Sequence, residues 1–151
     1  MATAPDPGER YRGPAGHLGY LLRQAQHSFT TAMDQRLRAH GLTSPQFGVL
    51  SVLVADPGLS AADLARAALV TPQAINLLVT SLERDGLLRR ERHPSHGRVL
   101  QLFATDEGAR RVREAYPSVV ELEDRIADGL SARQLAAVKG WLVDVAVKVR
   151  T

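Results

Sequence analysis

The sequence predicts a mainly α-helical fold of the α+β class, with one short β-hairpin beyond the middle of the chain. Aromatic residues make up only 5% of the 151 residues, so the core must consist mostly of Leu, Val and Ala, which favours helices over a β-sandwich. Apolar residues recur at steps of three and four near both ends. Residues 59–103 indicate two short helices, then two strands around a Pro-Ser-His-Gly loop. This order predicts a winged helix-turn-helix between long N- and C-terminal helices.

The chain length suits one domain with three kinds of segment. Residues 1–14 hold three prolines and two glycines and few apolar side chains, so we expect a mobile N-terminal arm. Residues 15–42 and 104–151 are predicted to form helical regions outside the winged part. Residues 43–103 are predicted to form the winged helix-turn-helix itself.

The first two helices are defined by their end signals. Apolar residues continue at helical spacing from about residue 15 to 39, and Gly41 is a suitable stop. A helix of this length has more apolar surface than one small neighbouring domain usually needs. Thr43 and Gln46 predict a capping box for the second helix, which the Asp-Pro-Gly turn at 56–58 ends.

The helix-turn-helix and the hairpin follow. Ser60 predicts the start of the third helix, and Thr71 followed by Pro72 predicts the start of the fourth. Gly86 ends the fourth helix. We expect strands at 87–93 and 98–103, because apolar residues alternate along the second of these segments.

The last two helices are also marked by caps. Thr105 predicts the start of the fifth helix, and Pro117 is expected to kink or interrupt it, because proline lacks the backbone donor and crowds the preceding turn. Gly129 closes the fifth helix. Ser131 and Gln134 form a second capping-box pattern that opens the last helix.

Charge is concentrated around the hairpin. The chain contains 17 Arg and 2 Lys, and its net charge is +3. Residues 84–98 carry five arginines against two carboxylates, which equals the net charge of the whole chain. Arginine forms bidentate hydrogen bonds with phosphate groups and with the guanine edge, so the excess of Arg over Lys is consistent with nucleic-acid binding. A genome-wide codon preference for Arg explains the total number of arginines equally well, but it does not explain why they are concentrated around the hairpin.

The composition excludes several classes of protein. With no cysteine, disulfides, thiol redox sensing and Cys-based zinc sites are excluded. There is no apolar run long enough for a membrane span and no signal-peptide pattern, so a cytoplasmic location is expected. Catalytic motifs are also missing, so we expect no enzyme, no cofactor and no metal. His93 and His96 lie three residues apart in the hairpin loop, but phosphate contact or exposure suits them better than metal binding.

The fourth helix has the composition of a helix that reads DNA bases. Its apolar stripe should face inwards, and no acidic residue lies between Thr71 and Leu82. Gln and Asn can contact adenine, Thr and Ser can reach base edges or phosphate, and Ala or Leu can meet a thymine methyl group. An ordinary polar surface is the alternative. The candidate DNA-contacting residues on this helix are Gln73, Ala74, Asn76, Leu77, Thr80 and Ser81.

The hairpin adds basic candidates beside that helix. Four arginines, Arg89, Arg90, Arg92 and Arg98, surround a short loop that could reach the minor groove next to a helix seated in the major groove. The candidate DNA contacts among them are Arg89, Arg92 and Arg98. Arg98, at the base of the loop, is the strongest candidate. The alternative is a basic edge strand whose charges only prevent strand pairing.

Three sequence runs resemble the MarR family of bacterial winged-helix transcription factors. They are SPQFGVL at 44–50, LSAADLARAALVTPQAINLLVTSLERDGLLRRERHPSHGR at 59–98, and ATDEG at 104–108. The resemblance implies that residues 15–42 and 104–151 form a dimerisation region, so that a homodimer would bind a pseudo-palindromic operator in double-stranded DNA. Most members repress transcription and respond to a ligand. A winged-helix module that binds a protein and not DNA remains the alternative.

The resemblance also implies a ligand site and shows two departures. Family members often bind a small aromatic or phenolic effector between the dimerisation helices and the winged part. Core or interface roles are the alternative for each candidate residue. The family's wing usually carries an Asp-Arg pair where this chain has His96 and Gly97, so Arg98 lacks its carboxylate partner. Leu77 stands where the recognition helix often has Arg. The ligand candidates are His17, Tyr20, Arg23, His27 and Gln46.

Overall fold

The computed structural model describes residues 3–150 and confirms a mainly helical fold with a two-stranded wing. Short 3-10 turns precede and follow the first helix, at Arg10–Arg12 and Arg38–His40. The helices are α1 (Leu18–Leu37), α2 (Ser44–Ala55), α3 (Ala61–Ala67), α4 (Pro72–Arg84), α5 (Asp106–Ala127) and α6 (Ala132–Lys148), and the strands are β1 (Leu88–Arg92) and β2 (Leu100–Ala104).

The predicted caps are present where the sequence placed them. Thr43 and Gln46 form a capping box at α2, with the Gln46 side chain accepting from the Thr43 backbone N–H at 2.9 Å. Ser131 and Gln134 form the same arrangement at α6. Gly41 has φ 65° after the 3-10 turn that extends α1, a left-handed conformation that glycine adopts without steric cost.

Pro117 does not interrupt α5. The helix runs from Asp106 to Ala127 in one piece, so the prediction of an interruption is wrong. Ala115 and Leu122 are buried on either side of the proline, and their packing holds both halves of the helix against the core. Tertiary packing here outweighs the loss of one backbone hydrogen bond.

The N-terminal arm contacts α1. The Arg12 guanidinium donates to Gln24 Oε1 and to the Pro5 carbonyl, both at 2.8 Å, and the Gln24 amide donates to the Arg12 carbonyl at 3.0 Å. The Tyr11 ring meets the Tyr20 ring edge-on at 5.8 Å. Residues 1 and 2 of the predicted arm lie outside the described residues, and its mobility stays a prediction.

The core joins the winged part to α1 and α5. Leu37, Leu50 and Leu82 are fully buried and come from three different helices. By contrast, α6 contributes no buried residue. Val143 and Val147 on α6 are 63% and 66% exposed, so this helix has an apolar surface that its own chain does not cover. No helix within residues 3–150 is long and apolar enough to cross a membrane.

Candidate nucleic-acid interface

The helix-turn-helix is built from two capped helices and a tight turn. The Ser60 hydroxyl accepts from Asp63 N–H at 3.2 Å at the start of α3, and the Thr71 hydroxyl accepts from Ala74 N–H at 3.1 Å at the start of α4. Between the helices, Leu69 has φ 57° and is 91% exposed. The turn therefore holds a leucine in a left-handed conformation that usually favours glycine.

Helix α4 has one buried and one open face. Ile75, Val79 and Leu82 of the predicted inward stripe are buried, and Leu78, the fourth residue of that stripe, is half-buried. The predicted outward residues divide into two groups: Ala74 and Ser81 are half-buried, and the others are exposed. The exposed group is Gln73, Asn76, Leu77 and Thr80.

Only some of the polar side chains on this open face form hydrogen bonds within the protein. The Thr80 hydroxyl donates to the Asn76 carbonyl at 2.9 Å, so its proton is engaged within the helix. The Asn76 and Gln73 side chains make no hydrogen bond within residues 3–150, which leaves their amides available to an outside partner. Leu77 is 75% exposed and is the one large apolar side chain on this face.

The wing is anchored to the rest of the winged part. Strands β1 and β2 pair antiparallel, with Arg90 opposite Leu102 and Arg92 opposite Leu100. Leu59 forms a bridge to Leu102, and the Leu102 N–H donates to the Leu59 carbonyl at 2.9 Å. The buried Leu102 thus fixes the base of the hairpin beside the turn that precedes α3.

The wing arginines lie on two faces of the hairpin, because successive strand residues point to opposite sides. Arg89 stacks over the Phe103 ring at 4.6 Å and forms an ion pair with Glu91. Arg92 lies on the other face. Neither Arg92 nor Arg98 has a carboxylate partner within residues 3–150. Of the three predicted arginines, Arg92 and Arg98 are therefore free, and Arg89 is held within the wing.

Arg90 is a structural residue that the predicted site omitted. Its Nε donates to Glu83 Oε2 at 2.9 Å, which connects β1 to the end of α4. This ion pair is one of the contacts between the wing and α4. The alternation along β1 indicates that Arg90 points to the same side of the hairpin as the buried Leu88. The sequence does not show that its partner is Glu83, seven residues earlier.

The loop at the tip of the wing has its own hydrogen bonds. His93 N–H donates to the Val99 carbonyl at 2.9 Å, and Val99 N–H donates to the His96 carbonyl at 2.8 Å. His93 Nδ1 accepts from the backbone N–H groups of Ser95 and His96, both at 3.1 Å. Arg98 is exposed and lies within the turn that the Val99–His96 bond closes.

Three of the five predicted ligand residues lie together. Tyr20, Arg23 and His27 line an open cavity of about 500 Å³ on α1. His17 and Gln46 are elsewhere: His17 precedes α1, and the Gln46 side chain closes the α2 cap. Sequence reasoning missed four further lining residues: one belongs to the arm, which gave no sign that it would fold onto α1, and three are polar residues of α1 that the sequence did not single out. These residues are Arg12, Gln24, Gln26 and Thr30.

A second cavity, of about 340 Å³, lies between α2 and α5 and is almost entirely apolar. Ser51, on its wall, has the one buried side-chain oxygen in residues 3–150 without a hydrogen-bond partner. No group of three or more His, Asp or Glu residues within the described chain is arranged to hold a metal ion.

Comparison with known proteins assigns the family. Residues 40–99 match the family model described as "MarR family". An HTH-type transcriptional repressor of Mycobacterium tuberculosis is 37% identical over 125 residues, which cover 83% of this chain and 90% of the relative. The chain belongs to the MarR family. This confirms the family and architecture expected from the sequence, and it identifies the protein as a transcriptional regulator and not an enzyme.

Solved structures of transcriptional regulators have the same fold. The PcaV regulator of Streptomyces coelicolor, solved with its natural ligand, is 29% identical with a TM-score of 0.81, and the match covers 99% of this chain and all of that one. The CouR repressor, solved on a 23-mer DNA duplex, is 30% identical with a TM-score of 0.79, covering 86% of this chain and 92% of that one.

Proposed function

We propose that this MarR-family protein is a homodimeric, ligand-responsive repressor that binds a pseudo-palindromic operator in double-stranded DNA. The observation that carries the proposal is the open face of α4 beside the wing. Within residues 3–150, the exposed Asn76 and Leu77 side chains make no hydrogen bond, and Arg92 and Arg98 extend the surface without a carboxylate partner. A related repressor has been solved on duplex DNA.

The two parts of this surface have different tasks. Side chains of α4 would contact base edges in the major groove, where one good bidentate contact favours the correct base over a wrong one by about 1–3 kcal/mol. Arg92 and Arg98 would contact phosphate or the neighbouring minor groove, where a narrow groove attracts arginine. Arg90 contacts both parts, because its ion pair with Glu83 joins β1 to the end of α4.

The dimer is proposed from uncovered apolar surface. Leu22 and Phe29 of α1, Ile126 of α5 and Leu142 of α6 line a cavity of about 450 Å³. Leu142 is 46% exposed and Ile126 is 56% exposed, and burying such side chains stabilises an interface. Helices of a second copy would cover this surface. The two copies of α4 would then lie one DNA turn apart, roughly 34–36 Å.

The effector is proposed to bind on α1. Tyr20, Arg23 and His27 combine an aromatic ring, a cation and an imidazole around one cavity, a set that suits a small aromatic or phenolic acid. The PcaV regulator, which this chain resembles along its length, has a natural ligand. Binding would favour a dimer geometry in which the two α4 helices no longer match successive major grooves, a shift between two populations.

A mobility-shift assay on fragments of the source genome tests the proposal. We expect one shifted fragment that carries an inverted repeat, with an affinity that falls steeply with salt, because arginine–phosphate contacts release counterions. Asn76→Ala should cost about 1–3 kcal/mol at particular bases, and Arg98→Ala should weaken binding to all sequences and lower the salt slope by about one. Arg133→Ala removes the same charge from α6 and is the matched control.

Two results would count against this function. An affinity that hardly changes between low and moderate salt would contradict the arginine contacts. A folded dimer that shifts no fragment would favour the alternative, a winged-helix module for a protein partner, for which the exposed Leu69 and Leu77 offer an apolar surface. A cytoplasmic location belongs to the proposal, because a bacterial repressor acts where the chromosome is.

A further inference from the structure

We propose that His93 is a positioning residue of the wing: its neutral imidazole holds the backbone at Ser95 and His96, which leads into Arg98, and protonation of the ring releases that backbone. The inference rests on the proposed function, since it concerns how the wing is presented to DNA. It adds a pH dependence to DNA binding that comes from one side chain outside the helix-turn-helix.

The hydrogen bonds define the protonation state that the turn needs. His93 Nδ1 accepts from Ser95 N–H and His96 N–H, each at 3.1 Å. A ring nitrogen accepts only when it carries no proton, so the ring must be neutral with its hydrogen on Nε2. A side-chain acceptor that takes N–H groups two and three residues ahead is the arrangement by which Asp and Asn close turns.

A histidine makes this turn sensitive to pH in a way that an aspartate would not. A carboxylate stays an acceptor throughout the physiological range, whereas histidine is the side chain that changes charge between pH 5 and 8. A protonated His93 has two donors and no acceptor, so both hydrogen bonds are lost and two exposed N–H groups turn to water. The tip then keeps two backbone bonds, from Val99 N–H to the His96 carbonyl and from His93 N–H to the Val99 carbonyl.

The surroundings offer no compensation for the added charge. The His96 ring lies 5.1 Å from the His93 ring, Arg92 precedes His93 on β1, and Arg98 follows the turn. Val99, opposite His93, is uncharged. The nearest carboxylate in sequence, Glu91, is paired with Arg89. A second positive charge on His96 would add repulsion, so protonation opens the turn without forming an ion pair within the described residues.

The consequence for Arg98 follows from the chain path. Both the side-chain bond from His93 and the Val99 backbone bond end at His96, two residues before Arg98. Loss of the side-chain bonds frees the backbone at His96, so the segment that carries Arg98 has more conformations, and these must be reordered when DNA binds. Simple charge attraction predicts the opposite sign, because each new imidazolium would attract phosphate and tighten binding as the pH falls.

Three variants separate these effects. His93→Asn keeps an acceptor in reach of both N–H groups but does not titrate, and His93→Ala removes the acceptor. His96→Asn removes the other imidazole of the tip and leaves the acceptor of His93 in place. Kd for one operator duplex is measured from pH 8 to pH 5.5 at constant ionic strength, and the His93→Asn curve serves as the baseline for all remaining histidines.

We expect the wild type to lose about threefold to tenfold in affinity relative to His93→Asn as the pH falls, the range of one or two modest hydrogen bonds. His96→Asn should keep that loss, and His93→Ala should bind weakly at every pH. In the free protein, the amide NMR signals of Ser95 and His96 should shift together with the titration of the His93 ring. This second readout does not depend on DNA.

The outcomes are distinguishable. If the wild type binds no operator at pH 8, the proposed function fails. If it binds but has the same pH profile as His93→Asn, or binds more tightly at low pH, the role of His93 is refuted. Amide signals of Ser95 and His96 that stay fixed while His93 titrates would refute the turn mechanism itself.

Discussion

Leu77→Ala should weaken operator binding without weakening the fold. Leu77 is 75% exposed, so most of its surface is free to be buried against DNA. Full burial of an exposed leucine stabilises by about 1.5–3 kcal/mol. Alanine keeps only the β-carbon, so we expect a loss of about 1–2 kcal/mol, or about 5- to 30-fold in Kd. The melting temperature should hardly change, because the side chain packs little within its own chain.

The assay is a cycle of protein and DNA changes. Kd is measured for the wild type and for Leu77→Ala on the footprinted operator, and on operators in which single thymines are replaced by uracil. If Leu77 meets a thymine methyl group, one uracil should weaken wild-type binding and leave the variant unaffected. Leu69→Ala, which truncates another highly exposed leucine, is the control. Equal losses for the two alanine variants, or no loss for Leu77→Ala, would refute the assignment.

Three further predictions concern the frame that holds this surface. Leu69→Gly should have a free energy of unfolding about 0.5–1 kcal/mol higher than that of Leu69→Ala in denaturant titrations, because a residue with a β-carbon is strained in the left-handed conformation and glycine is not; an equal or lower value would contradict the strain. Gly108→Ala should destabilise by about 1–3 kcal/mol or more, because its β-carbon would lie 2.1 Å from the Leu87 carbonyl oxygen; thermal melting checks this, and an unchanged melting temperature would contradict it. Leu142→Glu should yield a folded monomer by light scattering and circular dichroism, whereas an intact dimer would remove Leu142 from the interface.

Local signals predicted the secondary structure well. The Thr43–Gln46 and Ser131–Gln134 caps each depend on residues three apart, so the sequence contains all the information that they need. Pro117 shows the limit of local rules. Its expected interruption is absent, because the burial of Ala115 and Leu122 comes from distant parts of the chain.

The sequence was enough to predict which face of α4 is exposed, but not which side-chain contacts surround that face. Helical spacing correctly separated the buried Ile75 from the exposed Asn76. The engagement of Arg89 with Phe103 and the ion pair of Arg90 with Glu83 depend on strand register and on the approach of β1 to α4, and neither follows from spacing along the chain. The turn held by His93 was missed because histidine is not a usual turn acceptor.

The central claim is that two copies of α4 and the wing bind DNA as a symmetric dimer. Hydroxyl-radical footprinting on the operator tests it most directly. We predict two protected regions related by two-fold symmetry, with centres about 10–10.5 base pairs apart or a multiple of that spacing, and flanking minor-groove protection that is lost in Arg98→Ala. A single asymmetric footprint, or wing protection unchanged in Arg98→Ala, would contradict the account.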